Sequence, residues 1–236
     1  MPPLSPITSS PILQSLDGKG AFTNVSRLKG TIAYWDGQQR IEAQDKEAIL
    51  VFQQEAQRGN TLAQLYLAQS YGSGRAIKQD IGQAKALFMY ILNNKQGKDP
   101  SLLIKACTQL GQLYINTPGP EDEIQRGMAL LATAAEWGDT TAQTIVGESY
   151  LFGYHGLVKD EQKAMILLTA AADKGDPFAQ AWVGEGYAFG YYGLAKNEAL
   201  GISLLTSSAH SGVLHAQTLL AILGVNYLFG SPFPLP

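Results

Sequence analysis

The sequence predicts an all-α solenoid, a stack of helix-pair repeats. Three observations carry that expectation: a self-alignment at a fixed offset, apolar residues spaced by four, and glycines that punctuate the chain at near-constant intervals. The segment AQTIVGESYLFGYHGLVKDEQKAMILLTAAADKGD, from Ala142, aligns without a gap on AQAWVGEGYAFGYYGLAKNEALGISLLTSSAHSGV, from Ala179, an offset of 37 residues. In that frame an opening alanine recurs as Ala63, Ala106, Ala142, Ala179 and Ala216. A closing glycine recurs as Gly59, Gly97, Gly138, Gly175 and Gly212, at steps of 38, 41, 37 and 37 residues.

Taken in chain order, residues 1–20 carry four prolines and read as an extended or disordered tail. Residues 25–58 read as a degenerate first repeat, because Tyr34 and Gly37 precede Ala48 by the same gaps that separate Tyr150 and Gly153 from Ala164. A β-hairpin around Asp36-Gly37 is the rival there, since Asp-Gly is a strong two-residue turn signal. The repeat array as a whole is expected over residues 21–224. Its first helices carry Leu67, Leu110, Val146, Val183 and Leu220 four residues after the opening alanine. Tyr71, Tyr114, Tyr150 and Tyr187 follow at eight, and positions 0, 4 and 8 share one helical face.

The fifth position is always tiny (Ala68, Gly111, Gly147, Gly184, Ala221). A glycine inside a helix costs about 1 kcal/mol against alanine, so its recurrence implies close approach of a neighbouring helix. Second helices open at Ala48, Ala86, Gly127, Ala164 and Gly201, carry Phe52, Tyr90, Leu131, Leu168 and Leu205 one turn on, and end at the closing glycine, which accepts the left-handed conformation that stops a helix. The long step falls in GKDPSLLIKA, Gly97 to Ala106, an extended loop or helix start. Residues 225–236, ending GSPFPLP, are expected as an extended tail or cap over the last helices.

Composition narrows the function classes. Seventeen basic against twenty acidic residues give a net charge of −3, so the chain lacks the positive field that nucleic acid or an anionic bilayer requires. The longest apolar run, Leu219 to Val225, falls far short of the roughly 20 residues of a membrane-spanning helix. MPPLSPITSSPILQSL lacks the basic start and apolar block of a secretory signal. The compartment stays open: cytoplasmic, or periplasmic or secreted if a leader has been removed. The single cysteine, Cys107, excludes an internal disulfide framework and a multi-thiolate zinc site, and reads as an inert packed thiol.

The succession of alanine-glutamine, a leucine-glycine step, tyrosine, a glycine-bearing turn, lysine-alanine and alanine-alanine before glycine-aspartate resembles the Sel-one-like repeat (SLR), a relative of the tetratricopeptide repeat. The resemblance spans about residues 45–224 and is most specific in the units at Ala142 and Ala179. The unit at Ala106 departs from it, with Cys107 in place of glutamine and NTPGPEDE in place of the glycine turn. The resemblance implies a right-handed superhelix that serves as an adaptor or scaffold binding another protein, commonly in bacteria, with no cofactor and no obligatory homo-oligomer. An immunity-type protein neutralising a secreted toxin is one narrower form of that expectation. A subunit of a membrane-associated complex is another.

No catalytic constellation competes with this reading. His155, His210 and His215 lack the spacing of three or four that joins two ligands on one helix, so no metal site is expected, and His210 suits a helix C-terminus. The GEGYAFG run lacks the strand-then-helix context of a phosphate loop. Glu148 and Glu185 share the sixth position of adjacent repeats, where helices stacked about 8–10 Å apart set two acids at a distance known from glycosidases. They are expected to face solvent with ordinary acidity, which disfavours such an enzyme.

A partner is instead expected on the sixth positions, Gln69, Gln112, Glu148, Glu185 and Ile222, with the second positions Leu65, Thr108, Thr144, Ala181 and Thr218 one turn away. The SLR resemblance places this face on the concave side, a shallow polar groove suited to a segment bearing a basic residue. A second expected surface is the turn between paired helices, where Tyr154, His155, Tyr191 and Tyr192 occupy matching positions. One aromatic of each pair is expected either to contact a partner or to pack under the turn. Trp182, aligned with Ile145 and Leu219, is expected to pack in the core.

Overall fold

In the computed structural model the chain forms ten helices among the described residues, 42–94, 99–224, 227–228 and 231–232. The N-terminal tail, the first half of the degenerate repeat with its hairpin rival, and most of the C-terminal tail lie outside them. The helices are α1 (Glu42–Gln57), α2 (Thr61–Ser73), α3 (Ile81–Asn93), α4 (Pro100–Asn116), α5 (Glu121–Glu136), α6 (Thr140–Phe152), α7 (Glu161–Asp173), α8 (Pro177–Phe189), α9 (Glu198–His210) and α10 (Leu214–Ile222). After α10, Tyr227–Leu228 (β1) and Ser231–Pro232 (β2) pair antiparallel, Tyr227 opposite Pro232. Internal packing divides the chain into two bodies, residues 1–102 and 103–236, each described by itself.

Helix boundaries follow from local chemistry. Gly138 and Gly175 sit at φ 86° and 88°, reversing the chain after a second helix, and the next residue caps the following helix. Asp139 accepts from Ala142 N–H at 2.8 Å and Asp176 from Ala179 N–H at 2.9 Å. Second helices start in the same way, on Asp80, Asp160 and Asn197. A turn of constant geometry joins the paired helices: Asp80, Asp160 and Asn197 N–H donate to the carbonyls of Tyr71, Tyr150 and Tyr187 at 2.9, 2.8 and 2.7 Å. The recurring glutamine is a stitch between repeats, since Gln64, Gln143, Gln180 and Gln217 donate through Nε2 to the carbonyls of Ala56, Ala135, Ala172 and Ala209 in the preceding helix.

In the body of residues 1–102, Phe52, Ala63 and Leu67 form the core between α1 and α2, and the Phe52 ring stacks on Tyr66 at 5.4 Å. The expected register of α3 is corrected. Its buried residues are Ala84, Phe88 and Ile91, whereas Ala86 and Tyr90 are exposed. Counting back from Gly97 misplaces the helix by two residues, because the N-cap Asp80 sets its start and α3 ends at Asn93, short of that glycine.

In the body of residues 103–236 the first helices α4, α6, α8 and α10 alternate with α5, α7 and α9. Ala106, Ala142, Ala179 and Ala216 are fully buried, as are Leu131, Leu168 and Leu205 opposite them. Burying each such leucine stabilises by roughly 1.5–3 kcal/mol. The small fifth position is explained as expected. A Cβ on Gly147 would lie 2.7 Å from Leu168 Cγ, and one on Gly111 would lie 2.7 Å from Leu131 Cγ and 2.9 Å from the Gly127 carbonyl, so each pair of helices is in near backbone contact.

Candidate functional site

Glu148 lies on α6 and Glu185 on α8, each six residues past its opening alanine. The expectation that they face open solvent is corrected. Both are half-buried, and the Glu185 side chain is only 13% exposed. Trp182 Nε1–H donates to Glu148 Oε1 at 2.7 Å. Glu185 Oε2 accepts from the Tyr192 hydroxyl at 3.0 Å and lies 3.1 Å from His215 Nε2. Burial pushes the Glu148 carboxyl above the usual glutamate range. The Trp182 hydrogen bond opposes that shift and the nearby charge of Asp176 adds to it. Burial, and then the negative charge of Glu185, push the Tyr192 phenol far up, so it stays a hydrogen-bond donor.

These contacts expose a register rule that the repeat frame contains only implicitly. The sixth position of one first helix meets the residue before the opening alanine, or the third residue after it, on the next. Trp182 reaches back to Glu148 in this way, and His215 to Glu185. Trp182, expected in the core, is instead half-buried at the core's edge, where it also orients a carboxylate. Its indole lies 4.5 Å from the His215 ring and meets Phe152 edge-on at 5.1 Å, while Phe152 stacks on Tyr154 at 5.4 Å. A run of rings, Tyr154, Phe152, Trp182 and His215, thus crosses from the α6–α7 turn over α8 to α10, with Glu148 and Glu185 beside it. Phe152 and the pairing of His215 escaped the sequence reading.

At the turns, the two aromatic positions divide as the alternatives allowed. Tyr154 and Tyr191 point outward, 56% and 50% exposed, each stacked on the last aromatic of its helix, Phe152 or Phe189. His155 and Tyr192 occupy the left-handed region, φ 54° and 57°, and turn inward. His155 Nδ1 lies 3.0 Å from Ser149 Oγ. That pair is no hydrolase dyad: Ser149 is buried, and its hydroxyl donates to the Ile145 carbonyl at 2.7 Å. His210 Nδ1 meets the Thr206 carbonyl at 2.8 Å, in keeping with its place at a helix end.

The remaining groove residues divide. Gln69 and Gln112 are half-buried on α2 and α4, in separate bodies, and Ile222 is 67% exposed at the end of α10. The second positions are corrected as a lining, since Leu65, Thr108, Thr144 and Ala181 are buried and only Thr218 is exposed. The buried threonine hydroxyls return to their own helices, Thr108 to the Ile104 carbonyl and Thr144 to that of Thr140. Among the described residues no group of three His, Cys, Asp or Glu side chains is placed to hold a metal ion, and no helix is long and apolar enough to cross a membrane.

Stacked helix pairs with a capped glycine turn define the class of α-solenoid repeat proteins. The chain carries three Sel1 repeats: the family model for the Sel1 repeat matches residues 61–90, 140–176 and 177–213. No curated protein sequence matches it. Among solved structures it is similar to a Sel1 repeat protein from Oxalobacter formigenes, with 25% identity and a TM-score of 0.68 over 85% of this chain and 77% of that one. It is equally similar, at 25% identity and a TM-score of 0.68, to c5321, a protective antigen present in uropathogenic Escherichia coli strains, over 90% of this chain but less than half (42%) of the antigen. An immunity protein from Pseudomonas aeruginosa, Pa5087, aligns at 18% identity and a TM-score of 0.46, too loosely to bear on function. Sel1-repeat proteins are in general protein-interaction scaffolds.

Proposed function

We propose that this chain is a non-catalytic scaffold that binds a basic segment of a partner protein on the face shared by α6, α8 and α10. The observation that carries the reading is the state of the two acids. Glu148 and Glu185 are half-buried one repeat apart and fixed by neutral donors and one imidazole. Among the described residues no lysine or arginine pairs with either. The lysines flanking this face are committed elsewhere, Lys159 to Glu161, Lys163 to Asp160 and Lys196 to Glu198. A partner's cation would supply what the fold withholds, and at a partly desolvated position such a pair is stronger than on an open surface.

Affinity capture from the native source, followed by titration of the recovered partner, tests this. A Glu148→Lys, Glu185→Lys variant that keeps its helical circular dichroism is expected to bind at least tenfold more weakly, with parent affinity falling as salt rises. Undiminished affinity of the charge-reversed protein would remove this face from the function.

A further inference from the structure

The surroundings of Glu148 are more selective than a negative patch. Glu148 and Phe152 stand one helical turn apart on α6 and both touch Trp182, so the carboxylate and the Phe152 ring share one face. Phe152 is 37% exposed, Tyr154, stacked on it, 56%, and Phe178, one turn before Trp182 on α8, also 56%. Glu148 Oε1 is taken by the indole, the one hydrogen bond this carboxylate makes among the described residues, so Oε2 is left to a ligand. The charge of Asp176 lies close enough to disfavour ionisation of Glu148, so the local field is negative, and among the described residues no lysine or arginine pairs with this carboxylate.

From this geometry we infer that the notch is an arginine-reading site, which seats one guanidinium group of the partner against Glu148 Oε2 and over the exposed rings of Phe152 and Tyr154. The inference rests on the proposed basic-segment reading and adds the identity of the side chain. Both basic residues satisfy the charge, but the setting separates them. A guanidinium is planar, stacks on aromatic faces while its edge donates to a carboxylate, and is weakly hydrated, so it enters a partly desolvated notch at lower cost than an ammonium. Trp182 serves as the wall that orients the carboxylate. Its indole is already engaged by His215 and Phe152, which leaves the outer rings to take the cation.

The test needs no partner. The full chain, labelled with ¹⁵N, is titrated with N-acetyl-arginine amide and separately with N-acetyl-lysine amide, following the Trp182 indole N–H resonance, assigned by its loss in Trp182→Phe. The arginine compound is expected to move the resonance and to saturate at a concentration about fivefold lower than the lysine compound. Glu148→Gln, which keeps an acceptor for the indole, is expected to weaken arginine binding about tenfold or more. Tyr154→Ala, a change at an exposed side chain that leaves the core intact, is expected to reduce the preference for arginine. Equal saturation by the two compounds, or an arginine titration unchanged in Glu148→Gln, overturns the inference. Partner binding lost on charge reversal while the two compounds bind alike would sink the arginine assignment and leave the scaffold reading standing. Undiminished partner binding would sink that reading.

Discussion

Replacing Gly201 with alanine is expected to destabilise the protein although it improves the helix. An alanine inside α9 gains about 1 kcal/mol of helical propensity over glycine. Its Cβ, however, would stand 2.5 Å from Ala188 N and 2.7 Å from Ala188 Cα and Cβ. Carbon contacts are favourable only from about 3.5 Å, so α8 and α9 must separate by about 1 Å. Overpacking of this kind costs about 1–3 kcal/mol, and the upper end applies here because the obstruction is backbone, which has no other rotamer to adopt. The net loss is about 2 kcal/mol.

Gly184, across the same helix pair, is the comparator. Its Cβ would meet Leu205 Cγ at 3.0 Å and the Gly201 carbonyl at 3.2 Å, contacts relieved by shifts of a few tenths of an ångström, so Gly184→Ala should stay within about 1 kcal/mol of the parent. Thermal and urea unfolding followed by far-ultraviolet circular dichroism reads both variants. Gly201→Ala should lower Tm by about 4–8 °C, given roughly 2–4 °C per kcal/mol for a chain of this size. A raised midpoint for Gly201→Ala, or a larger fall for Gly184→Ala, would refute the argument that helix contact dictates the small residues.

Two further outcomes follow from named contacts. Glu148 has its carboxyl pKa raised by burial, so its stabilising contribution is fully present below the ordinary glutamate value of 4.5 and is lost as pH rises through the folded-state value. Glu148→Gln, read by urea midpoints from pH 4 to 8, should therefore gain on the parent as pH rises and level off near neutrality; a difference constant with pH would exclude the effect. Gln180 joins three helices, donating to the Ala172 carbonyl on α7 and accepting from Ser207 on α9 at 2.8 Å. Gln180→Ala should cost about 1–2 kcal/mol by the same assay, and an unchanged midpoint would show that the stitch contributes nothing.

Glu148→Gln joins the stability and binding arguments. It is expected to make the free protein more stable near neutral pH and to weaken its hold on a cation. A half-buried carboxylate that costs stability in isolation is the pattern of a group kept ready for an opposite charge.

The architecture was legible in the sequence because helix pairing is written locally. Opening alanines, fourth-position aliphatics, tiny fifth positions and glycine-aspartate steps each describe a contact within one repeat or with its immediate neighbour, and a 37-residue period repeats that contact. The register of α3 was misplaced because an N-cap, Asp80, rather than the downstream glycine, sets where the helix begins. The candidate surface was legible only in part. Glu148, Glu185, Tyr154, His155, Tyr191 and Tyr192 were visible as repeated residue types, but not which of them turn inward.

By itself the sequence determined the helix-pair repeat, its period and the buried stripe of its first helices, since periodicity and capping act over a few residues. Only the tertiary structure decided that Trp182 and His215 reach back one repeat to the two acids, that the second positions close into the core, and that the rings of Phe152 and Tyr154 lie beside a desolvated carboxylate. The two contacts that reach back join residues 34 and 30 positions apart, and they depend on how one helix is rotated against the next. No spacing within a single repeat specifies that rotation.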